Sequence, residues 1–366
     1  MRTRHDVLVS AEDMGVSGTK IYKLDYQDPI SELDLVIAAT NGATNNKDAP
    51  IERCISKIEI VDGGECLWSL PGDVAYALWT QLNGKPGNTY NSGCTSDSPY
   101  VQIPLQFGRY LWDPLLAFNP KKFDNPQLKV TFDEATVRAA GDTGFVTDSF
   151  TMTIMAHLME NGASPQGYLM AKDIYDFTSV ASGDEPVDMP VDYPWRLLFV
   201  RAFESGVAYD ASLTRFKLNC DGGKFIPFDV AHARLADLMC QTFPPVHREG
   251  YEYADNAETF QTWMALNVGQ LVVSHAADII VGCTSFWPSQ FTLRQYTGAS
   301  AASNNQPMHW SVWGWAPHNT LFVPFGRPDV IEDWFNAPGF GKVKLYITQG
   351  NADAEVNVCV QQLRKY

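Results

Sequence analysis

The chain has 366 residues, of which 45% are hydrophobic and 12% aromatic, enough for two domains at ~100 to 200 residues each. Its formal net charge of −15 argues against broad binding to nucleic acid or anionic lipid, because no stripe rich in Lys and Arg offsets it. The seven cysteines form no Cys-x-x-Cys pair and are odd in number, so we expect reduced, mostly buried thiols and neither a zinc site nor a closed disulfide framework.

Residues 1–18 are expected to form an N-terminal arm. They carry Arg2, Arg4 and His5 and contain no apolar stretch of signal-peptide length, so we expect a soluble protein made in the cytosol. The basic residues could touch a phosphate-rich surface, but a frayed and solvated terminus is the favoured interpretation.

Five short sequence blocks occur twice, in the same order, along the chain. The copies are 153, 159 and 156 residues apart for the first three blocks but 218 apart for the fourth, which corresponds to about sixty extra residues in the second copy. Two related units therefore lie in tandem, and an insertion of this size usually has a function or a structure of its own. The blocks of the first copy are Ile21-Tyr22, Asp62-Gly63-Gly64, Asp73-Val74-Ala75, Phe107-Gly108-Arg109 and Val130-Thr131, and those of the second are Ile174-Tyr175, Asp221-Gly222-Gly223, Asp229-Val230-Ala231, Phe325-Gly326-Arg327 and Ile347-Thr348.

The repeats define the expected domains. The first unit spans 19–160, a linker spans 161–172, and the second unit spans 173–366. The insertion in the second unit covers about 243–318, and we call this segment the tower.

Alternating polar and apolar residues predict strands in both units, for example at 55–60 and 213–218. Asp-Gly-Gly follows each of these strands, at Asp62 and Asp221. It predicts a tight hairpin, because Asp can bond to its own downstream backbone and Gly accepts a positive φ. This explanation is favoured over a catalytic or metal-binding pair of carboxylates.

Each unit is also expected to contain one short helix in a loop. Asp73 and Asp229 each precede good helix formers, so we expect both to cap a helix, with His232 on the helix face.

An arginine ends each Phe-Gly-Arg block, at Arg109 and Arg327, where it can bind a carboxylate through two parallel hydrogen bonds. Asp113 and Asp329 are the candidate partners. Because the arginine recurs in both units, a structural clamp is favoured over an anion-binding site.

Two further strands close each unit, at 127–132 and 149–158 in the first and at 342–348 and 354–363 in the second. His157 lies on one of them, where a lone histidine is more often a packed or exposed residue than a ligand. With six to eight strands in each unit, the predicted fold is all-β: two tandem jelly-roll β-sandwiches, a double jelly roll, with short helices in loops.

The segments 104–109, 112–114, 123–130 and 198–202 resemble the double jelly-roll major capsid proteins of tailless icosahedral viruses, especially bacteriophages with an internal membrane. The resemblance covers about 20–366 and is weakest in the tower. It implies a structural protein of the virion, made in the host cytoplasm, that forms a homotrimer. The six similar rolls of such a trimer form a pseudo-hexagonal capsomer, and capsomers tile an icosahedral shell.

The same resemblance implies contacts with neighbouring capsomers and with penton or minor capsid proteins, and contact of the N-terminal arm with an internal membrane. No sequence-specific binding to nucleic acid is expected. We assign no catalytic, cofactor-binding or metal-binding residues and expect no enzymatic activity.

The tower combines many aromatic residues with a polar tip at 300–306. Clustered Trp and Tyr suit stacking on a host receptor or glycan, but packing of the tower and of the trimer interface is the favoured explanation. The aromatic residues are Trp263, Phe286, Trp287, Phe291, Tyr296, Trp310, Trp313 and Trp315.

Two other classes of protein stay open, a two-sandwich hydrolase acting on glycans and a glycan-binding lectin. The chain contains no Gly-x-Ser-x-Gly, His-Glu-x-x-His or P-loop motif, which weighs modestly against the first, and the missing signal peptide weighs against the second. Acidic residues such as Asp184 and Glu185 are candidates for divalent ions at interfaces. With a charge of −15 on every chain, we expect assembly that strengthens with salt or calcium.

Overall fold

Antiparallel β-sheets dominate the computed structural model. The structure describes residues 2–42, 50–90, 96–135, 144–204, 207–208, 210–254, 257–261, 264–274, 280–287, 290–296 and 306–366. Within these ranges, no helix is long and apolar enough to cross a membrane.

The first half of the chain, where described, contains nine strands and two short helices. Strands β8 and β9 bury every second side chain, as the alternation of the sequence predicts. Helix α2 ends where Gly84 adopts the left-handed conformation at φ 66°. The elements are β1 (Arg2–Asp13), β2 (Ser17–Lys23), β3 (Ile30–Ala38), α1 (Ile51–Cys54), β4 (Lys57–Asp62), β5 (Glu65–Leu70), α2 (Gly72–Asn83), β6 (Thr89–Tyr90), β7 (Tyr100–Gln106), β8 (Pro126–Asp133) and β9 (Thr151–Glu160).

These strands form the two sheets of the first roll, in the order β2-β8-β4-β5 and β1-β9-β3-β7-β6. The buried side chains of both sheets belong to one hydrophobic cluster, which includes Leu128 from β8 and Ile154 from β9. The first roll is therefore a β-sandwich with its core between two antiparallel sheets.

The second half repeats this plan and adds the tower. Short 3-10 helices lie at Pro120–Lys122 in the first half and at Ile331–Asp333 and Ala337–Gly339 in the second. The elements are β10 (Gly167–Thr178), β11 (Gly183–Met189), β12 (Trp195–Phe203), β13 (Leu213–Cys220), β14 (Phe225–Ala231), α3 (His232–Thr242), the tower strands β15 (Val246–Ala254), β16 (Ala257–Gln261), β17 (Met264–Ser274), β18 (Ile280–Trp287), β19 (Gln290–Tyr296) and β20 (Gln306–Pro317), and then β21 (Thr320–Pro324), β22 (Val343–Gln349) and β23 (Glu355–Lys365).

The second roll has sheets β11-β22-β13-β14 and β10-β23-β12-β21, and β10 joins β5 of the first roll through a parallel bridge between Lys172 and Ser69. The tower consists of two three-stranded sheets, β15-β20-β17 and β16-β19-β18. It lies between α3 and β21. The predicted double jelly roll with short helices in loops is confirmed.

Strand pairing shows which of the repeated blocks are equivalent. The pair β1 and β9 in the first roll corresponds to the pair β10 and β23 in the second. In the same way, the pair β2 and β8 corresponds to the pair β11 and β22. The counterpart of β2 is therefore β11, and β10 is the counterpart of β1. The match of Ile21-Tyr22 in β2 with Ile174-Tyr175 in β10 was therefore wrong. An apolar residue followed by Tyr suits any half-exposed strand and carries little information on position.

The prediction that Asp73 and Asp229 cap helices was also wrong. Pro71 occupies the N-cap of α2, and Asp73 lies in the first turn. Asp229 lies in β14, where Arg215 and Lys217 of the neighbouring strand bind its carboxylate at 2.7 and 3.4 Å. These cross-strand ion pairs favour an extended backbone as far as Ala231, and α3 begins only after it.

The N-terminus is a strand and not a frayed arm, so that interpretation was wrong. Strand β1 pairs with β9 along its length, and Arg4 binds Glu160 at 2.7 Å. The segment expected as a linker at 161–172 also includes the first residues of β10, because Gly167 pairs with Lys365 at the end of β23.

Candidate functional site

The predicted arginine clamp is present in both rolls. In the first roll, Arg109 Nε and Nη2 donate to the two carboxylate oxygens of Asp113 at 2.6 and 2.9 Å. Burial alone would raise the pKa of Asp113, but hydrogen bonds from Arg109 and from the Leu115 backbone hold it below its usual value. Both groups are thus engaged in holding the loop after β7.

In the second roll, Arg327 binds Asp333 at 2.5 Å and not Asp329, so that partner assignment was wrong. Asp329 instead joins the two rolls, because its backbone carbonyl accepts a hydrogen bond from Arg109 Nη1 of the first roll at 3.0 Å. Its carboxylate lies 3.6 Å from Arg196 of its own roll. The clamps hold loops in place, as the structural interpretation predicted.

Asp62 and Asp221 also have equivalent structural roles. Asp62 accepts hydrogen bonds from the backbone of Asp124 and Asn125, just before β8. Asp221 accepts them from Gly341 and Lys342, just before the equivalent strand β22. In both rolls the aspartate ties its hairpin to the neighbouring loop, which accounts for the repetition without a catalytic pair.

The boundary between the rolls contains buried charged groups. Arg201 Nη2 of the second roll lies 2.7 Å from Asp73 of the first, and His318 Nε2 lies 3.2 Å from Glu52. Burial would raise the pKa of Asp73, but its interactions with Arg201 first, and then with His318 and Arg53, hold it below its usual value. Asp73 is therefore a carboxylate at neutral pH.

A cleft of about 340 Å³ opens beside this boundary. Both rolls line it, with Arg53 and Asp73 from the first and Arg201, Glu355 and Asn357 from the second. Glu355 binds Arg53 at 3.2 Å and Arg201 at 3.4 Å. These contacts pair the acidic Asp73 and Glu355 with arginines, an arrangement typical of a joint between domains.

The described tower aromatics divide into packed and exposed rings. Trp310 is 2% exposed and Trp313 is 37% exposed. Each ring lies over a glycine of the neighbouring strand, Trp310 over Gly250 and Trp313 over Gly269, where a Cβ atom would approach the ring to 2.3 Å. Trp315 is half-buried against the main core. Packing therefore explains Trp310 and Trp315, and among the tower tryptophans whose side chains the structure describes, Trp313 is the one exposed to a partner.

The remaining tower predictions lie outside the described residues. These are Trp263, the tip at 300–305, and the side chains of Phe286, Trp287, Phe291 and Tyr296.

The other residues named in the sequence analysis have local contacts within their own elements or with neighbouring strands. His232 is the first residue of α3, where burial lowers its pKa and its Nδ1 lies 2.6 Å from the Leu213 carbonyl oxygen. Asp184 and Glu185 lie on β11 and accept hydrogen bonds from Thr348 and Tyr175. The described cysteines are free thiols, and three of the five are buried. His157 lies in a cluster of polar residues, with Glu32, Asp34 and His5, that was not predicted from the sequence.

Comparison with known proteins relates the whole chain to solved structures. It matches the major capsid protein P2 from bacteriophage PM2 with a TM-score of 0.56 and 11% identity, covering 100% of this chain and 98% of that one. For the major capsid protein of STIV, the Sulfolobus Turreted Icosahedral Virus, the TM-score is 0.60 and the identity 11%, over 99% and 96% of the chains. For the PBCV-1 virus capsid the values are 0.55 and 9%, over 99% and 93%. At these identities the comparison establishes a shared fold. No protein-family model and no curated protein sequence matches the chain.

Proposed function

We propose that this chain is the major capsid protein of an icosahedral virus. The observation that carries the proposal is the extent of the structural match, which runs from end to end of both this chain and the capsid protein of bacteriophage PM2. A match confined to one roll would indicate only a common sandwich fold. Here both rolls, with the tower that is inserted in the second, match over the length of a single capsid-protein chain.

The duplicated fold gives a physical reason for the assembly that we propose, a homotrimer. Three chains with two similar rolls each present about six similar faces around a threefold axis, which suits close packing with neighbouring capsomers. The rolls are held to each other by buried contacts, including the ion pair of Arg201 with Asp73 and the parallel bridge between β5 and β10. Each chain can therefore enter the assembly as one rigid block.

The partners beyond the trimer follow from the same proposal. Neighbouring capsomers and penton or minor capsid proteins would meet the outer faces of the rolls, and the exposed Trp313 makes the tower the candidate surface for a host receptor or glycan. Contact of the N-terminal strand with an internal membrane would depend chiefly on Arg2, because Arg4 is engaged by Glu160.

We propose a structural and not an enzymatic role. A glycan hydrolase of the sandwich class needs an acid and a base exposed in a cleft. In the cleft between the rolls, Asp73 and Glu355 are instead paired with Arg53 and Arg201, which supports a role in joining the rolls.

Electron microscopy of the purified chain tests the proposal. Pseudo-hexagonal particles of one size, and larger sheets or shells at high concentration, are the expected result. Dispersed single chains that hydrolyse a glycan would contradict it and favour the hydrolase alternative.

A further inference from the structure

A group of polar side chains lies on the outer face of the first roll, across three adjacent strands. Glu32 and Asp34 are two residues apart on β3 and therefore point to the same side of the sheet. In the strand register, His157 of β9 lies opposite Glu32, and His5 of β1 lies opposite His157. Residues far apart in the sequence thus meet at one place on the sheet.

The donor atoms of three of these residues are close enough to surround one ion. One ligand atom each from Glu32, Asp34 and His157 lies within 4.8 Å of the others, and His157 Nε2 is 2.7 Å from Asp34 Oδ2. Around a zinc ion with ligand distances of about 2.0 to 2.2 Å, tetrahedral ligand atoms are roughly 3.4 Å apart. Small movements of the three side chains would bring their ligand atoms from the present distances, up to 4.8 Å, to the separation that a tetrahedral zinc ion requires.

The electrostatics of the group call for a positive charge. Glu32 is only 5% exposed and Asp34 only 3%, yet within the described ranges neither carboxylate forms an ion pair with Lys or Arg. Asp34 Oδ1 is buried and accepts no hydrogen bond from any described residue. Two adjacent buried carboxylates are costly unless a proton or a cation compensates them.

The surrounding residues orient the group as a second coordination shell does. Trp79 Nε1 donates to Glu32 Oε2 at 2.9 Å, which orients the carboxylate. The Nδ1 atoms of His157 and His5 are 2.6 Å apart, so one ring donates to the other and fixes the orientation of His157. Trp112 packs edge-on against both rings, with centroids 5.8 and 6.0 Å away. A metal-binding histidine commonly has its second nitrogen held in this way.

We propose that Glu32, Asp34 and His157 bind one divalent transition-metal ion, with Zn²⁺ as the ion that this donor set fits. An imidazole nitrogen beside two carboxylates favours Zn²⁺ over Ca²⁺, which prefers six to eight oxygen ligands. The ion ties β3 to β9 and, through His5, steadies the N-terminal strand. The site belongs to a single chain and is independent of whether the chain builds a shell.

Titration of the full-length, metal-free protein with Zn²⁺ and with Ca²⁺, followed by calorimetry, tests the proposal. We expect a Zn²⁺ site that Asp34→Asn and His157→Gln each weaken at least ~100-fold, and that His5→Gln weakens by roughly 10-fold, as a second-shell change does. Ca²⁺ should not compete at equal concentration. Wild-type protein without a Zn²⁺ site, unchanged affinity in Asp34→Asn, or preference for Ca²⁺ would overturn the proposal.

The tower provides a matched control. His247 and His309 lie 3.7 and 4.0 Å from Glu249 and are about half exposed, so they form a second group of histidines beside a carboxylate, on an exposed surface. The double variant His247→Gln, His309→Gln should keep the site, and its loss there would assign the metal to the tower instead.

Two further measurements separate metal binding from folding. The melting temperatures of the metal-free wild type and of the metal-free Asp34→Asn variant, which also loses the contact with His157, serve as the two reference values. Added Zn²⁺ should raise the melting temperature of the wild type but not of this variant. Bound Co²⁺ should give a visible spectrum without a thiolate charge-transfer band, and the presence of that band would place a cysteine in the site and overturn the assignment.

Discussion

Arg201 Nη2, on β12 of the second roll, lies 2.7 Å from Asp73 Oδ2, in helix α2 of the first, and both side chains are less than a tenth exposed. The pair connects the two rolls directly. It also explains the aspartate that the sequence placed at a helix cap, since Asp73 contributes its charge to the boundary between the rolls. The supposed copy, Asp229, pairs on the surface with Arg215 and Lys217.

Replacing Asp73 by Asn should therefore destabilise the protein strongly. The change leaves the guanidinium of Arg201 buried without its nearest charge partner, which costs about 3–5 kcal/mol in free energy of unfolding. Unfolding in urea measures this cost. Asp237→Asn is the control, because Asp237 pairs with Arg234 at 2.7 Å on the exposed face of α3, where such a pair contributes at most about 1 kcal/mol. Equal losses in the two variants would contradict the role of the buried pair.

Asp173 on β10 should make stability fall as the pH rises. Burial raises its pKa from 3.8 to about 6, against the opposing hydrogen bonds from Asn357 and Cys359. The folded protein then holds this proton more tightly than the unfolded chain does, so the contribution is fully favourable below 3.8 and is lost as the pH rises through about 6. The stability of Asp173→Asn relative to the wild type should therefore increase as the pH rises from about 3.8 to about 6. Above about pH 6 the difference between the two should stay constant. Urea unfolding at several pH values measures the difference, and a gain that grows toward acid pH would contradict the prediction.

The blocks that predicted the duplication correctly are those under backbone constraint. In Phe-Gly-Arg, a Cβ atom on Gly108 would lie 2.6 Å from the Leu116 carbonyl oxygen, and one on Gly326 would lie 2.6 Å from Asp333 Cβ. Such close approaches permit only glycine, so the residue is informative wherever the fold recurs. The Ile-Tyr and Asp-Val-Ala blocks meet no such constraint, and both misled the alignment of the copies.

The cluster around His157 could not be predicted from the sequence. The spacing of Glu32 and Asp34 indicates only that they share a face of a strand. Their proximity to His157, more than a hundred residues away, depends on the order of strands β9 and β3 in the sheet. Local sequence patterns do not fix this order, because loop closure and core packing decide which strands become neighbours.

Gly326→Ala should destabilise the second roll. Gly326 has φ 68°, and a Cβ atom there would meet the backbone of Asp333, so both strain and overlap oppose the change. We expect a loss of roughly 2 kcal/mol or more. Gly64→Ala is the matched control, because nothing lies within 4 Å of its Cβ position and the effect should stay within about 0.5 kcal/mol. Thermal unfolding distinguishes the two, and a neutral Gly326→Ala would show that the loop relaxes freely.

Association between capsomers should depend on ionic conditions. Each chain carries a net charge of −15, so neighbouring capsomers repel one another at low salt. Raising the salt from 0.01 to 0.1 M shortens the screening length from ~30 to ~10 Å, and calcium can bridge carboxylates directly. Light scattering should show assembly that strengthens with either addition. If neither salt nor calcium changed the extent of assembly, charge repulsion would not be what limits association.

The mass of the purified protein in solution tests the central claim most directly. Size-exclusion chromatography with light scattering should give a stable particle of three times the chain mass of 40.7 kDa, at micromolar concentration and in moderate salt. A trimer is what a pseudo-hexagonal capsomer built from two rolls per chain requires. A particle of 40.7 kDa at every concentration and salt condition would contradict the proposed capsid role.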